Sequence, residues 1–129
     1  IRAMVKDLSI PVELRPCPIV RQEDGLALSS RNALLNDEER KIALNISKTL
    51  FASCEYAKSH SVAETHDFVV STINSVEGLE VQYYEIVDGT TLQNVSDWKD
   101  SNYIVGCITV FCGHIPVRLI DNIKYKENI

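Results

Sequence analysis

The chain has 129 residues, 45% of them hydrophobic and 24% charged, with a net charge of −5. That length buries one core, since domains cluster at about 100–150 residues, and the composition excludes a disordered or low-complexity chain. The acidic balance excludes nucleic acid as a partner, which would require clustered Lys and Arg, and no stretch reaches the ~18 consecutive apolar residues of a membrane-spanning helix.

Ile1 to Leu8 reads as the tail of a helix whose start lies off the chain, so truncation is expected. Ile1-Arg2-Ala3-Met4 has neither the apolar region nor the cleavage pattern of a signal peptide, and the expected location is the cytoplasm. Ile10 to Leu14 reads as a short strand with Pro11 near its beginning. Arg15-Pro16-Cys17-Pro18 follows as an extended link in which two prolines block helix. Asp24 to Asn32 is a polar loop opened by the flexible Gly25.

Asn36 then reads as an N-cap, with Glu39 completing a capping box and Asp37, Glu38 and Glu39 suiting the positive end of a helix. Ala43, Ile46, Leu50, Phe51, Cys54 and Ala57 keep the amphipathic rhythm to about Lys58. Ser61 caps a second helix with Glu64 as its reciprocal partner, and Val62, Val69, Ile73 and Val76 repeat at helical spacing up to Gly78.

Leu79 to Asp88 alternates as a strand, with Leu79, Val81, Tyr83 and Val87 on one face and Tyr84 and Ile86 on the other. Tyr103 to Cys112 is apolar on both faces, as a central strand is, and Gly113-His114 turns it into Ile115 to Ile123 as an antiparallel hairpin. The predicted fold class is α+β: a small two-layer domain, a three-stranded antiparallel sheet with helices packed on one face, preceded by an orphan helix-strand segment. The orphan segment exposes Ile10, Val12 and Leu14, and self-association through it is expected.

Most candidate chemistry has a plainer explanation. Cys107 and Cys112 fall on opposite faces of one strand and cannot bridge, and with His114 they lack a fourth zinc ligand. Cys17, Cys54, Cys107 and Cys112 read as small buried or half-buried hydrophobes in a reducing compartment, and no metal site is assigned. His114 has no carboxylate neighbour that would make it a base, and His60 and His66 carry no stronger claim. Glu38-Glu39 is explained by capping, and Asp121-Asn122 by tying down a turn. Arg21, just before the loop, either neutralises a phosphate or a carboxylate or stays solvated.

Ser29-Ser30-Arg31 is different, because two hydroxyls beside a planar, always-charged guanidinium match a phosphate. With their flanks, Pro18-Ile19-Val20-Arg21, Asp24 to Asn32 and Glu38-Glu39-Arg40-Lys41, and with Arg118-Leu119-Ile120-Asp121-Asn122 near the far end, these residues resemble the pantothenate synthetase (pantoate–β-alanine ligase) family. The resemblance implies an ATP-dependent ligase that joins pantoate to β-alanine through a pantoyl-adenylate, releasing AMP and pyrophosphate. It implies that Ser29, Ser30 and Arg31 grip the phosphates as catalytic and ATP-binding residues, and that the backbones of Val20 and Leu28 line the adenine edge. Mg²⁺ would accompany ATP as substrate, with nothing bound tightly by this chain.

The same resemblance divides the chain into 1–22, a remnant of a Rossmann-like nucleotide-binding domain with its hinge, and 23–129, a C-terminal lid. The family's His-x-Gly-His signature is not in the sequence, and Lys6-Asp7 sits in Met4-Val5-Lys6-Asp7-Leu8 rather than in the family's Lys-Asp context. The chain alone is therefore expected to be inactive, with pantoate and β-alanine contacted through the N-terminal domain and a homodimer as the assembly. The competing readings are a non-catalytic dimerising or anion-binding α+β module, and an unrelated domain in which Arg31 only caps structure.

Overall fold

The protein, described here for residues 1–128 by a computed structural model, begins with helix α1 (Arg2–Asp7), which buries none of its residues. Lys6 and Asp7 are exposed at its end, as the sequence implies. Ser9 then takes φ 49°, and Ile10 N–H folds back onto Val5 C=O at 2.9 Å. The predicted strand over Ile10 to Leu14 does not form. Pro11 lacks an N–H, Val12 N–H closes locally onto Ile10 C=O at 2.8 Å, and no neighbouring strand lies alongside.

After a short 3-10 helix (Ser30–Leu34) comes α2 (Asp37–Tyr56), capped by Asn36, whose side-chain oxygen accepts Glu39 N–H at 2.8 Å. The Glu39 carboxylate closes on the Asn36 side-chain amide at 2.6 Å, a variant of the predicted box. Helix α3 (Val62–Asn74) carries the full reciprocal box between Ser61 and Glu64. Those backbone and side-chain bonds to Ser61 also hold the Glu64 carboxyl below its ordinary pKa.

Strands β1 (Leu79–Asp88), β2 (Tyr103–Cys112) and β3 (Val117–Glu127) form an antiparallel sheet in the order β1-β2-β3. Helices α2 and α3 cover one face, so the α+β two-layer expectation holds. The core lies between them: Ala43, Ile46 and Leu50 of α2 and Val69 and Ile73 of α3 meet Tyr84, Ile86, Ile104, Ile108, Val110, Leu119 and Ile123.

A bulge in β1 corrects the predicted faces. Val81 pairs with Val110 and Tyr83 with Thr109, leaving Gln82 unpaired, so the alternation of β1 skips one position. Leu79, Val81, Tyr84 and Ile86 therefore share the core face, whereas Tyr83, 43% exposed, lies on the open face with Val87. A second bulge leaves Tyr125 of β3 unpaired, its phenol on the same inward side as Leu119 and Ile123. Tyr125 donates to Ser53 Oγ at 2.7 Å, Ser53 to Leu50 C=O at 2.6 Å, and Tyr84 to Tyr125, so each hydroxyl has a partner in the core.

Both tyrosines cross over Gly106. An added Cβ there would lie 2.9 Å from Tyr125 Cε2 and closer to the Tyr84 hydroxyl. Burial pushes the Tyr84 and Tyr125 phenols well up from their ordinary pKa.

Candidate phosphate-facing turn

The Ser-Ser-Arg segment is held by a tight antiparallel turn over residues 20–28. Leu28 N–H donates to Val20 C=O at 2.9 Å and Gln22 N–H to Leu26 C=O at 2.8 Å. At its tip Gly25 has φ 94°, a left-handed conformation that glycine adopts without strain, and the Asp24 carboxylate accepts Leu26 N–H at 3.3 Å. The Leu26 side chain is buried in the core, which pegs the turn to α2 and the sheet.

Three further ties brace it. Arg21 forms a bidentate pair with Asp121 of β3 at 2.7 and 2.9 Å, with side chains 16% and 3% exposed. The same guanidinium donates to Gly25 C=O at 3.1 Å and Asn122 C=O at 3.3 Å, and lies 4.9 Å over the Phe51 ring. Arg40 of α2 reaches Asp24 at 2.7 Å and also Gln22. Asn32, 9% exposed, donates from its side chain to Ala27 C=O at 3.1 Å.

These contacts settle several sequence readings. Arg21 neutralises a carboxylate rather than a phosphate, since both Nη groups have spent both of their N–H donors. Asp121 ties down a turn, though not a local one: it lies within β3, accepts Asn122 N–H at 2.7 Å, and holds the turn over residues 20–28 through Arg21, 100 positions away. Phe51, predicted to face the core, is 50% exposed and serves as the platform for Arg21. The Arg21–Asp121 pair and the Asn32 tie are the residues that sequence reasoning missed. No local signal marks a pair set 100 residues apart by the fold.

Ser29, Ser30 and Arg31 emerge from this frame exposed and side by side. Ser29 Oγ caps the 3-10 helix by accepting Arg31 N–H at 3.2 Å, which leaves its own O–H free to donate. Arg31 Nη1 donates to Arg118 C=O at 3.2 Å on the edge of β3, and its other donors have no partner among the described residues. Val20 and Leu28 are 64% and 61% exposed beside it. The hollow between Leu26, Ser29, Asn32 and Ile120 measures about 20 Å³, far below the ~300 Å³ of a small-molecule pocket, so this chain offers one wall of a site.

A larger cavity, about 320 Å³, lies elsewhere, between α3 and β1, lined by His66, Asp67, Glu85 and Val95 among others. His66 Nε2 donates to Tyr84 C=O there at 2.9 Å, capping the edge of β1, and Nδ1 lies 3.2 Å from Asp67. His60 Nδ1 bonds Tyr56 C=O at 2.8 Å, and His114 is exposed in the β2–β3 turn. All four cysteines are free. Cys17 is exposed, contrary to expectation, because the link around it packs against nothing, while burial pushes the Cys54, Cys107 and Cys112 thiols up. Among the described residues no three His, Cys, Asp or Glu side chains converge as a metal site requires, and no helix is long and apolar enough to cross a membrane.

At this level the molecule is a two-layer α+β unit with a rigidly braced polar turn at the β3 edge. Its residues 1–124 match the family model described as pantoate-beta-alanine ligase, and the chain belongs to that family. It is 64% identical over 127 residues to the pantothenate synthetase of Phocaeicola vulgatus, covering 98% of this chain and 44% of that protein. With the Bacteroides fragilis pantothenate synthetase it shares 59% identity over 128 residues, covering 99% of this chain and 45% of that protein.

Among solved structures, pantothenate synthetase from Thermus thermophilus superimposes with TM-score 0.85 at 39% identity, over 97% of this chain and 44% of that one. A pantoate-beta-alanine ligase from Francisella tularensis, solved with beta-gamma ATP and beta-alanine, gives TM-score 0.57 at 29% identity, over 96% of this chain and 38% of that one. The chain thus spans less than half the length of the relatives it matches.

Proposed function

We propose that this chain is the C-terminal lid of an ATP-dependent, AMP-forming ligase that condenses pantoate with β-alanine through a pantoyl-adenylate. The observation that carries this reading is the exposed Ser29-Ser30-Arg31 group on a turn braced from α2 and β3, in a chain of the pantoate–β-alanine ligase family. Residues 1–22 then belong with a nucleotide-binding domain and 23–129 with the lid.

The proposed chemistry follows from the donors. The Ser29 and Ser30 hydroxyls and the free face of the Arg31 guanidinium bind the β- and γ-phosphates. As the pantoate carboxylate attacks the α-phosphorus, the leaving pyrophosphate gains negative charge. A guanidinium aimed at that charge stabilises the transition state more than the ground state. The backbones of Val20 and Leu28, tied by the Leu28 N–H to Val20 C=O bond, line the adenine edge. Mg²⁺ has no ligand set here, because two hydroxyls beside a cation do not attract a divalent ion. The location proposed is the cytoplasm, and the assembly a homodimer.

Assaying pantothenate formation from ATP, pantoate and β-alanine tests the division of labour. The isolated chain gives none above a no-protein control, and the polypeptide carrying an N-terminal nucleotide domain turns over. Turnover by the chain alone contradicts the assignment.

A further inference from the structure

We propose that Asp121 is a positioning residue for the phosphate-facing turn, acting through Arg21 on Ser29, Ser30 and Arg31 when a polyphosphate binds. This rests on the reading that those three residues take phosphate.

Asp121 is suited to the task by where it is fixed. Its backbone is locked into β3, and its carboxylate, 3% exposed, accepts both Arg21 Nη donors and Asn122 N–H at 2.7 Å. Arg21 transmits that position. One N–H is left over on each Nη: the first holds Gly25 C=O at the tip of the turn, and the second Asn122 C=O. The guanidinium also rests on the Phe51 ring, 4.9 Å from its centroid.

From the tip the path to the phosphate contacts is short. Arg21 pairs directly with Ala27, whose carbonyl is gripped by Asn32, and Ala27-Leu28 leads into Ser29. Asp121 and Ser29 also border the same hollow. A shift of Arg21 therefore moves the base of the Ser-Ser-Arg group while the rest of the sheet stays in place. None of this makes Asp121 or Arg21 a phosphate ligand: one is an anion and the other has both Nη groups fully occupied.

Asparagine at position 121 keeps the volume but presents an NH₂ where the fork needs an acceptor, so one of the two parallel bonds is lost. The test is a titration of the chain with inorganic pyrophosphate, followed through the backbone amide resonances of Ser29, Ser30 and Arg31. In the native chain those resonances move and saturate. In Asp121→Asn the resonances of α3, β1 and β2 stay in place, while the affinity falls about tenfold to a hundredfold, the scale of loss from misplacing a binding group.

Arg21→Lys, which keeps the charge but not the fork, falls similarly and serves if Asp121→Asn does not fold. Asp121→Glu recovers part of the loss, a rescue that a purely structural role would not produce among folded variants. Equal affinity in the native chain and either folded variant overturns the positioning role and leaves the phosphate reading standing. If the native resonances do not respond at any pyrophosphate concentration, the phosphate reading falls and takes this proposal with it.

Discussion

Arg21 and Arg31 carry the same guanidinium and have opposite fates. Arg21 is locked to a buried carboxylate, whereas Arg31 holds one backbone carbonyl and turns its remaining donors outward. Sequence spacing could not separate them, because the partner of Arg21 lies 100 residues away and no local rule reaches that far. That Ser29, Ser30 and Arg31 stand exposed side by side agrees with a reading that depends only on adjacent residue types; the phosphate role itself remains the proposal. Local pairing also gives Asp88 a defined acid response. Its carboxyl is drawn from 3.8 to about 2, first by the Ser101 hydroxyl and then by Thr91 and Thr90 N–H. A folded pKa below the unfolded one means that stability is present above pH ~3.8 and lost as the pH falls through ~2. The difference in melting temperature between the native chain and Asp88→Asn is therefore full at pH ~5 and gone near pH ~2; a constant difference would show that the carboxylate bonds do not contribute.

Elements defined by caps and periodicity were read correctly, since Asn36, Ser61 and Glu64 act within one turn of where they stand. Elements that depend on long-range pairing were not. The strand expected over Ile10 to Leu14 has no neighbour to complete it. The faces of β1 were misassigned beyond Val81 because the unpaired Gln82 shifts the alternation, and a bulge is fixed by the partner strand rather than by local composition. Tyr84 reaches Tyr125 above Gly106 because the bulge at Gln82 puts it on the core face, which Tyr125 occupies by the alternation of β3. Gly106→Ala should force that pair apart and cost about 1–3 kcal/mol, the usual range for overpacking a core. Urea unfolding measures it. An unchanged midpoint would mean that the tyrosine pair yields without cost.

For the whole molecule, the decisive feature is asymmetry between a packed body and an unpacked start. Of the side chains expected to be exposed, Val12 is, at 54%, whereas Ile10 and Leu14 are half-buried; Met4, Leu8 and Ile19 are 50%, 68% and 42% exposed instead. Apolar surface of that kind marks a surface that packs elsewhere. The chain should therefore self-associate through residues 1–16, and light scattering should give a dimer that becomes a monomer when they are deleted. A parent already monomeric at high concentration, or a dimer surviving the deletion, rules this out. The brace from Arg21 to Asp121 and from Asp24 to Arg40 also fixes the Ser-Ser-Arg group to the body rather than leaving it on a movable loop. On the proposed lid reading, closure over a nucleotide would move the unit as a whole.

The central claim, that Arg31 stabilises the pyrophosphate leaving from ATP, is tested most directly by pantoate-dependent exchange of labelled pyrophosphate into ATP in the polypeptide carrying both domains. Arg31→Ala should raise the barrier by about 2–4 kcal/mol, a loss of roughly 30-fold to 900-fold in rate, with the melting temperature unchanged because Arg31 is exposed and makes one bond. Exchange at the native rate, or a collapse of the melting temperature, would contradict the account.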